Sequence, residues 1–403
     1  MLQEKEKRYI INTYNRRPEQ TLLLVRGRGT LVWDEAGKEY LDFVGGIAVN
    51  ALGHAYRPVL EAAWEQMQKV IHTSNLYYSG PQIELAECLV KNSVGDKVFF
   101  CNSGAEANEA AIKLARKYYK TVLQSERFEI ITALNSFHGR TLATVAATGQ
   151  EKFHRGFEPL PAGFCYARFN DLESFRSQIN ERTAAIMVEP LQGEGGVHPG
   201  TADFLKGLRR LCDEKELLLI FDEVQSGMGR TGRLFAYEHA GIKPDIFTSA
   251  KALGGGFPIG AMLCAEKVAA GFAPGDHAST FGGNPVACAA ALAVLQAILK
   301  DGFLDEVASK GRSFQDKLQL LAGRFLGIIV EIRGKGLITG VELSGRAGEV
   351  QRACQEKGLL LNAIGEHVLR FLPPLNVTRE ELDAALEILE WALEEVFGSA
   401  QGK

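Results

Sequence analysis

Short apolar runs alternate with segments of helical spacing through the middle of this chain. Residues 98–101, 128–132, 184–188, 217–221, 245–248 and 261–264 each have the length and apolar content of a buried strand. After the first of them, Ala107, Ala111, Leu114, Ala115 and Tyr118 fall on one face of a helix. Strands separated by helices predict an α/β domain with a mainly parallel central sheet. Beyond it the pattern changes: strand-like pieces at 337–343 and 367–372 lie between amphipathic helices, which predicts a smaller α+β domain. The last helix carries the capping-box pair Thr378 and Glu381 and a stripe of Leu382, Leu386, Leu389, Leu393 and Val396, which reads as core. Near the amino terminus, residues 33–40 form a turn between two strand-like runs, a hairpin signal. These shifts divide the chain into an amino-terminal segment (1–50) packing with the small domain, a large domain (51–290) and a carboxyl-terminal small domain (291–403). There is no internal repeat or low-complexity tract.

Composition narrows the partners. The 403 residues are 46% hydrophobic, enough for a large core, and the net charge of −4 comes with no long basic run, which argues against nucleic acid or an anionic membrane. Residues 286–299 are the longest apolar stretch and fall short of the roughly 20 needed to span a bilayer, so they read as a buried helix. The charged start, residues 1–9, lacks the apolar core of a signal peptide, and a cytoplasmic location is expected. Seven cysteines without any Cys-x-x-Cys read as reduced structural thiols. Small molecules are the expected partners.

The candidate chemistry gathers where strands end, the place where open α/β sheets bind ligands. Ser103, Glu189 and Asp222 all stand there. Residues 102–108, with Ser103 and Gly104, follow a strand and open a helix, so they are either a phosphate cradle or an ordinary N-cap. Residues 136–141 place Phe137 and Arg140 at another strand end. An aromatic there can cover a planar cofactor and a guanidinium can grip a carboxylate; equally, the pair can be core and surface ion pair. Glu189 and Glu194 sit in an apolar, glycine-rich loop, either as hydrogen-bonded structural groups or as partners of a cation.

Residues 227–232 match G-x-G-x-x-G, but Gln225 and its neighbours separate the match from the strand end and no acid closes a second strand at the required distance. It reads as a glycine-rich loop, not a dinucleotide site. No phosphate-loop motif of the nucleotide triphosphatases is present, and none of the eight histidines has metal-ligand spacing, so no metal is expected.

The most informative residue is Lys251, set among Ser, Ala, Leu and Gly. Those surroundings suit a poorly solvated amine, whose neutral form is nucleophilic. Asp222 closes an apolar strand upstream, where a carboxylate is costly unless paired. Pyridoxal 5'-phosphate explains both, since a lysine holds its aldehyde as an imine and a carboxylate keeps its ring nitrogen protonated.

Taken together, residues 33–49, 52–54, 102–109, 137–141, 188–196, 221–232, 249–258, 279–285 and 369–375 resemble the class III pyridoxal-phosphate aminotransferases, and within them the branch acting on N-acetylornithine. The resemblance implies fold type I. It implies that Lys251 bonds the cofactor, Asp222 pairs with the ring nitrogen, Val224 and Phe137 cover the two ring faces, and Gln225 approaches the ring hydroxyl. Ser103, Gly104 and Ala105 would hold the phosphate, with Thr280 completing the cradle from the second subunit of a homodimer. Arg140 would grip the α-carboxylate of N-acetylornithine. Glu194 would neutralise Arg370 and swing aside when the second carboxylate of 2-oxoglutarate arrives, glutamate being the product. Related ornithine enzymes receive the free α-amino group on an amino-terminal tyrosine; here 19–24 reads Glu-Gln-Thr-Leu-Leu-Leu, although Tyr14 is near. Ornithine, succinylornithine, N-succinyl-diaminopimelate and 4-aminobutyrate remain alternative donors.

Overall fold

The computed structural model describes residues 2–14, 16 and 21–398. Strands β1 (Leu24–Arg28), β2 (Leu31–Asp34) and β3 (Glu39–Asp42) form an antiparallel meander. They are followed by β4 (Lys97–Cys101), β5 (Glu129–Ala133), β6 (Phe164–Ala167) and β7 (Thr183–Val188), then a two-stranded clip of β8 (Leu191–Gln192) and β9 (His198–Pro199). Next come β10 (Leu218–Asp222), β11 (Ile246–Ser249) and β12 (Gly260–Cys264). The chain ends with β13 (Ile329–Lys335), β14 (Ile338–Leu343), β15 (Leu359–Leu360), β16 (Asn362–Ile364), β17 (Val368–Phe371) and the helix Arg379–Phe397.

The central sheet has seven strands in the order β4-β12-β11-β10-β7-β5-β6. β12 is antiparallel to both its neighbours and every other pairing is parallel, so all strands but β12 point the same way. This is the mainly parallel α/β sheet that the alternating pattern predicts. Strands β5, β7, β10 and β11 are buried throughout because helices cover both faces. Side chains alternate: Leu219 and Phe221 join the cluster of Phe204, Leu205 and Leu208 on the helix Ala202–Lys215, while Leu218 and Ile220 face Ala111 and Leu114 on the helix Gly104–Thr121. The predicted buried helix is Pro285–Ile298, packed on Arg57–Met67 and Gly80–Lys91. Strands β6 and β13 escape the sequence pattern because each is only partly covered, with burial broken along its length.

A second four-stranded sheet, β13-β14-β17-β16, carries the carboxyl-terminal part. β15 adds in parallel to β3, which ties that part to the amino-terminal meander. The final helix is capped as its sequence predicts, Thr378 Oγ1 accepting from Glu381 N while the Glu381 carboxylate accepts from Thr378 N. No single helix among the described residues is long and apolar enough to cross a membrane.

The glycine-rich loop 227–232 joins the two sheets. A Cβ on Gly232 would lie 2.7 Å from that of Ala308, so glycine lets the helix Phe303–Arg324 close on the loop. Arg230, almost wholly buried, donates from Nη1 to the carbonyls of Leu337 and Pro373, at the end of the second sheet where β14 begins and β17 finishes. The loop is therefore a packing junction, and its glycines are explained without a nucleotide.

Candidate active site

Four parallel strands of the central sheet end around one cavity of about 410 Å3. β4 leads into Asn102 and the helix start, β7 into Glu189, β10 ends on Asp222, and β11 runs through Ala250 into Lys251. The loop after β5 adds Phe137, His138 and Arg140. Residues widely separated in sequence meet here because parallel strands deliver their carboxyl ends to one edge.

Asp222 is the most tightly held of these groups. Its Oδ2 accepts from Asn108 Nδ2 at 2.7 Å and faces His138 Nδ1 at 2.8 Å, and its Oδ1 accepts from Val224 N at 3.0 Å. Asn108 is fixed in turn, donating to His138 O at 2.7 Å and accepting from Thr248 Oγ1 at 2.8 Å. Asp222, Asn108, His138 and Thr248 are all buried. With Nδ1 turned to Asp222, the other ring nitrogen of His138 has no protein partner.

Lys251 follows β11 with a left-handed φ of 44° at the head of a short 3-10 turn. Burial pushes its amine below the ordinary lysine range and Arg370 adds to the effect, against the opposing charges of Glu194, Asp222 and Glu189. A larger share of neutral amine is the result. Glu189 shifts the other way: burial and then the Asp222 charge raise it well above the usual carboxyl range. Its oxygens accept from Phe137 N at 3.1 Å and Gly193 N at 3.4 Å, so it links two loops that line the cavity.

Ser103 caps the helix Gly104–Thr121, its Oγ accepting from Glu106 N at 3.2 Å, while Ser103, Gly104 and Ala105 also line the cavity. The capping residues thus also form part of the cavity wall. A Cβ on Gly104 would lie 2.7 Å from Val224 Cγ1; its absence brings the loop after Asp222 onto the helix start. Phe137 meets Phe153 edge to face at 5.7 Å, and the exposed Arg140 lies 4.1 Å above the Phe153 ring.

Arg370, on β17 and 2% exposed, donates from Nη1 to Glu194 Oε1 at 2.6 Å and from Nη2 to Asn362 Oδ1 at 3.3 Å. Burial disfavours the Glu194 carboxylate, but Arg370 and Lys251 outweigh that and hold it below its usual range. Gln225 lies between the two, donating to Glu194 and accepting from Arg370. Glu194 and Gln225 line the cavity, whereas Arg370 stands behind them.

Thr280 does not line this cavity; it is exposed, beside Ser279, whose Oγ accepts from Asn102 Nδ2 at 3.2 Å. Tyr14 is 61% exposed and outside the lining, as are Leu22, Leu23 and Leu24; Glu19 and Gln20 lie outside the described residues. Sequence reasoning missed Asn108, His138 and Thr248 as site residues. The available signal was a polar side chain interrupting an apolar stripe: Asn108 sits beside Ala107, Ala110 and Ala111 on a buried helix face, and Thr248 in a buried strand.

This donor set fits pyridoxal 5'-phosphate. A helix start with close-packed glycine accommodates a phosphate, a desolvated amine suits an aldehyde, and a carboxylate fixed by three donors suits a protonated ring nitrogen. The chain is 55% identical over 392 residues to the acetylornithine aminotransferase of Caldanaerobacter subterraneus, covering 97% of this chain and 98% of that one. The N-acetylornithine aminotransferase structure of Stenotrophomonas maltophilia superposes with a TM-score of 0.84 at 40% identity, covering 98% of this chain and 99% of that one. An ornithine aminotransferase structure from Toxoplasma gondii, described with PLP at its active site, gives 0.94 at 31% identity, covering 100% and 96%. The family description Aminotransferase class-III matches residues 13–393, and the chain belongs to the class III aminotransferases, enzymes that use pyridoxal 5'-phosphate.

Proposed function

We propose that this chain transfers the terminal amino group of N-acetyl-L-ornithine to 2-oxoglutarate, giving N-acetyl-L-glutamate 5-semialdehyde and L-glutamate, a step of arginine biosynthesis. The observation that carries this reading is a desolvated lysine and a fixed carboxylate in one cavity that Glu194, paired with Arg370 behind it, also lines. The relatives named acetylornithine aminotransferase support the choice of donor.

Bound pyridoxal 5'-phosphate supplies an aldehyde that condenses with amines and a ring that withdraws electrons from the carbon bearing the amine. Asp222, aimed by Asn108, His138 and Val224 N, would hold the proton on the ring nitrogen. Ser103, Gly104 and Ala105 would hold the phosphate, joined by the partner subunit's Thr280, with Phe137 and Val224 against the ring faces. Lys251, whose burial favours the neutral amine, would take a proton from the donor carbon as base and return one as acid. Arg140 would bind the donor's α-carboxylate from the cavity wall. In the donor half-reaction Glu194 neutralises Arg370, so an uncharged acylated end meets no bare cation; in the acceptor half-reaction the second carboxylate of 2-oxoglutarate replaces Glu194.

The homodimer is part of the same proposal. Leu60, Trp64, Ile71, Leu76, Tyr77, Tyr78 and Phe281 are exposed, Tyr78 at 98%, and Thr280 adjoins Phe281. Large apolar side chains in that number suit a subunit interface. The cytoplasm is the expected compartment, and the units 1–50, 51–290 and 291–403 are the proposed domains.

Two measurements test the function. Turnover of N-acetylornithine should exceed that of ornithine in kcat/KM, and a preference for the free amine would overturn the donor assignment. Lys251→Ala should lower turnover by at least about a thousandfold and abolish the visible absorbance of covalently held cofactor; sustained multiple turnover by that variant would refute the role of Lys251.

A further inference from the structure

A second cavity, of about 570 Å3, lies beside the carboxyl-terminal half of the helix Gly104–Thr121, and no residue lining it lines the catalytic cavity. Lys113, Arg116, Lys117 and Lys120 recur at the spacing of one helix face, and Arg127 joins them from the loop that follows. Five cations thus gather around one space in a chain whose net charge is −4. The two acids there are already taken, Asp276 by Lys117 and Glu126 by Lys120. Among the described residues the other three cations meet only neutral acceptors. Lys113 Nζ lies 2.8 Å from His277 Nδ1, Arg116 donates to Phe128 O at 3.1 Å and Ala162 O at 2.8 Å, and Arg127 donates to Lys215 O at 3.2 Å. Burial, and then Lys113, hold His277 below the usual imidazole range, so it brings no charge of its own. The half-buried rings of Phe128 and Phe272 line the same space, and Phe272 meets the His277 ring at 5.7 Å. A merely solvated basic face needs neither an aromatic wall nor a half-buried guanidinium such as Arg116 without a carboxylate.

We propose that this cavity binds a nucleoside polyphosphate, with its phosphate oxygens on Lys113, Arg116 and Arg127 and its base against Phe272. A guanidinium fork matches two oxygens of one phosphate, and a lysine amine follows the charge as a mobile point partner. The phosphates give Arg116 the counter-ion that no carboxylate supplies. The rings account for the rest of the ligand, because a nucleobase stacks on an aromatic side chain whatever its sequence of donors and acceptors. Inorganic phosphate or a dicarboxylate would satisfy the cations and leave the rings uncovered, so the wall selects a ligand with a flat body beside its charge. Because the two cavities share no lining residue, this site does not depend on the aminotransferase reading.

Magnesium-free ATP, tripolyphosphate and adenosine are each titrated calorimetrically into the cofactor-loaded enzyme, whose catalytic cavity is then filled, and into Lys113→Glu and Phe272→Leu. ATP should bind at one site per chain, at least about tenfold more tightly than either fragment, since each fragment keeps only half of the contacts. Lys113→Glu, a charge reversal at an exposed helix position, should weaken ATP and tripolyphosphate alike by about tenfold. Phe272→Leu should weaken ATP by about fivefold and leave tripolyphosphate within about twofold of wild type. Turnover without ATP should be the same in both variants as in wild type, which shows that each is folded. Absence of ATP binding at millimolar concentration would overturn the proposal. Tripolyphosphate binding as tightly as ATP would show that the cavity only collects charge, and the nucleotide assignment would fall. ATP affinity in Lys113→Glu within about twofold of wild type would place the ligand elsewhere and end the proposal. Each of these results leaves the aminotransferase assignment intact.

Discussion

Asp222 and Glu194 are both carboxylates of the same cavity, and the protein treats them in opposite ways. Asp222 receives three donors from a helix, a loop and its own turn, and Asn108, the helix donor, is itself fixed by Thr248. Glu194 meets one guanidinium and one carboxamide, and its side chain keeps 29% of its surface. A buried carboxylate with several fixed donors stays in place, which is what a permanent partner for a cationic ring would need. A carboxylate with only two partners at a cavity wall can be exchanged for another. The number and rigidity of the hydrogen bonds, not the residue type, decide which task each performs.

Removing the fixed charge should produce the larger effect. Asp222→Asn keeps the shape but loses the charge, and both half-reactions should slow by about a hundredfold or more, measured by single-turnover absorbance with each substrate. Equal rates in variant and wild type would erase the distinction drawn here. Arg370→Ala should be selective: the 2-oxoglutarate half-reaction falls by about a hundredfold, because Arg370 is lost and Glu194 is left without its cation, while the donor half-reaction falls much less. Equal damage to both halves would show that Glu194 and Arg370 do not act as an exchangeable pair.

The smallest effect concerns a third carboxylate, Glu223, next to Asp222 but turned into the core, where it accepts from Ser226 Oγ at 2.6 Å and Tyr237 N at 2.8 Å and pairs with no cation among the described residues. Burial raises it from 4.5 to about 7. A folded-state value above the unfolded one gives stability that is full below about 4.5 and is lost as pH rises through about 7. Glu223→Gln should therefore flatten the fall of Tm across that window and raise Tm by about 3 °C at pH 8. A pH profile identical to wild type would show that this carboxyl is charged in the fold at neutral pH.

The same contrast separates what could be read in the sequence from what could not. Strands β5, β7, β10, β11 and β12 were legible because full burial writes them as apolar runs, β4 because its Val-Phe-Phe-Cys run is apolar although buried only toward its end, and the polar residues at their ends marked the site. The identity of Lys251 and Asp222 as a pair followed from the cost of placing each charge in an apolar segment. The triangle of Glu194, Gln225 and Arg370 was not legible from spacing: 176 residues separate Glu194 from Arg370, and the register of β17 in another sheet sets their meeting. The fixed shell around Asp222 was hidden for a different reason. Asn108 and Thr248 occupy positions where a small apolar residue would satisfy the same helix or strand pattern, so only the three-dimensional hydrogen bonds reveal their purpose.

Arg230 has a consequence for redesign. By holding the carbonyls of Leu337 and Pro373 from a loop that begins just after Asp222 and Gln225, it sets the span between the catalytic floor and the strand bearing Arg370. A C-terminal lobe borrowed from an enzyme with another amino acceptor would inherit the new selectivity only if its own backbone oxygens reached this guanidinium. Otherwise the transplanted cation would be misaligned with its target, however well its pocket were chosen.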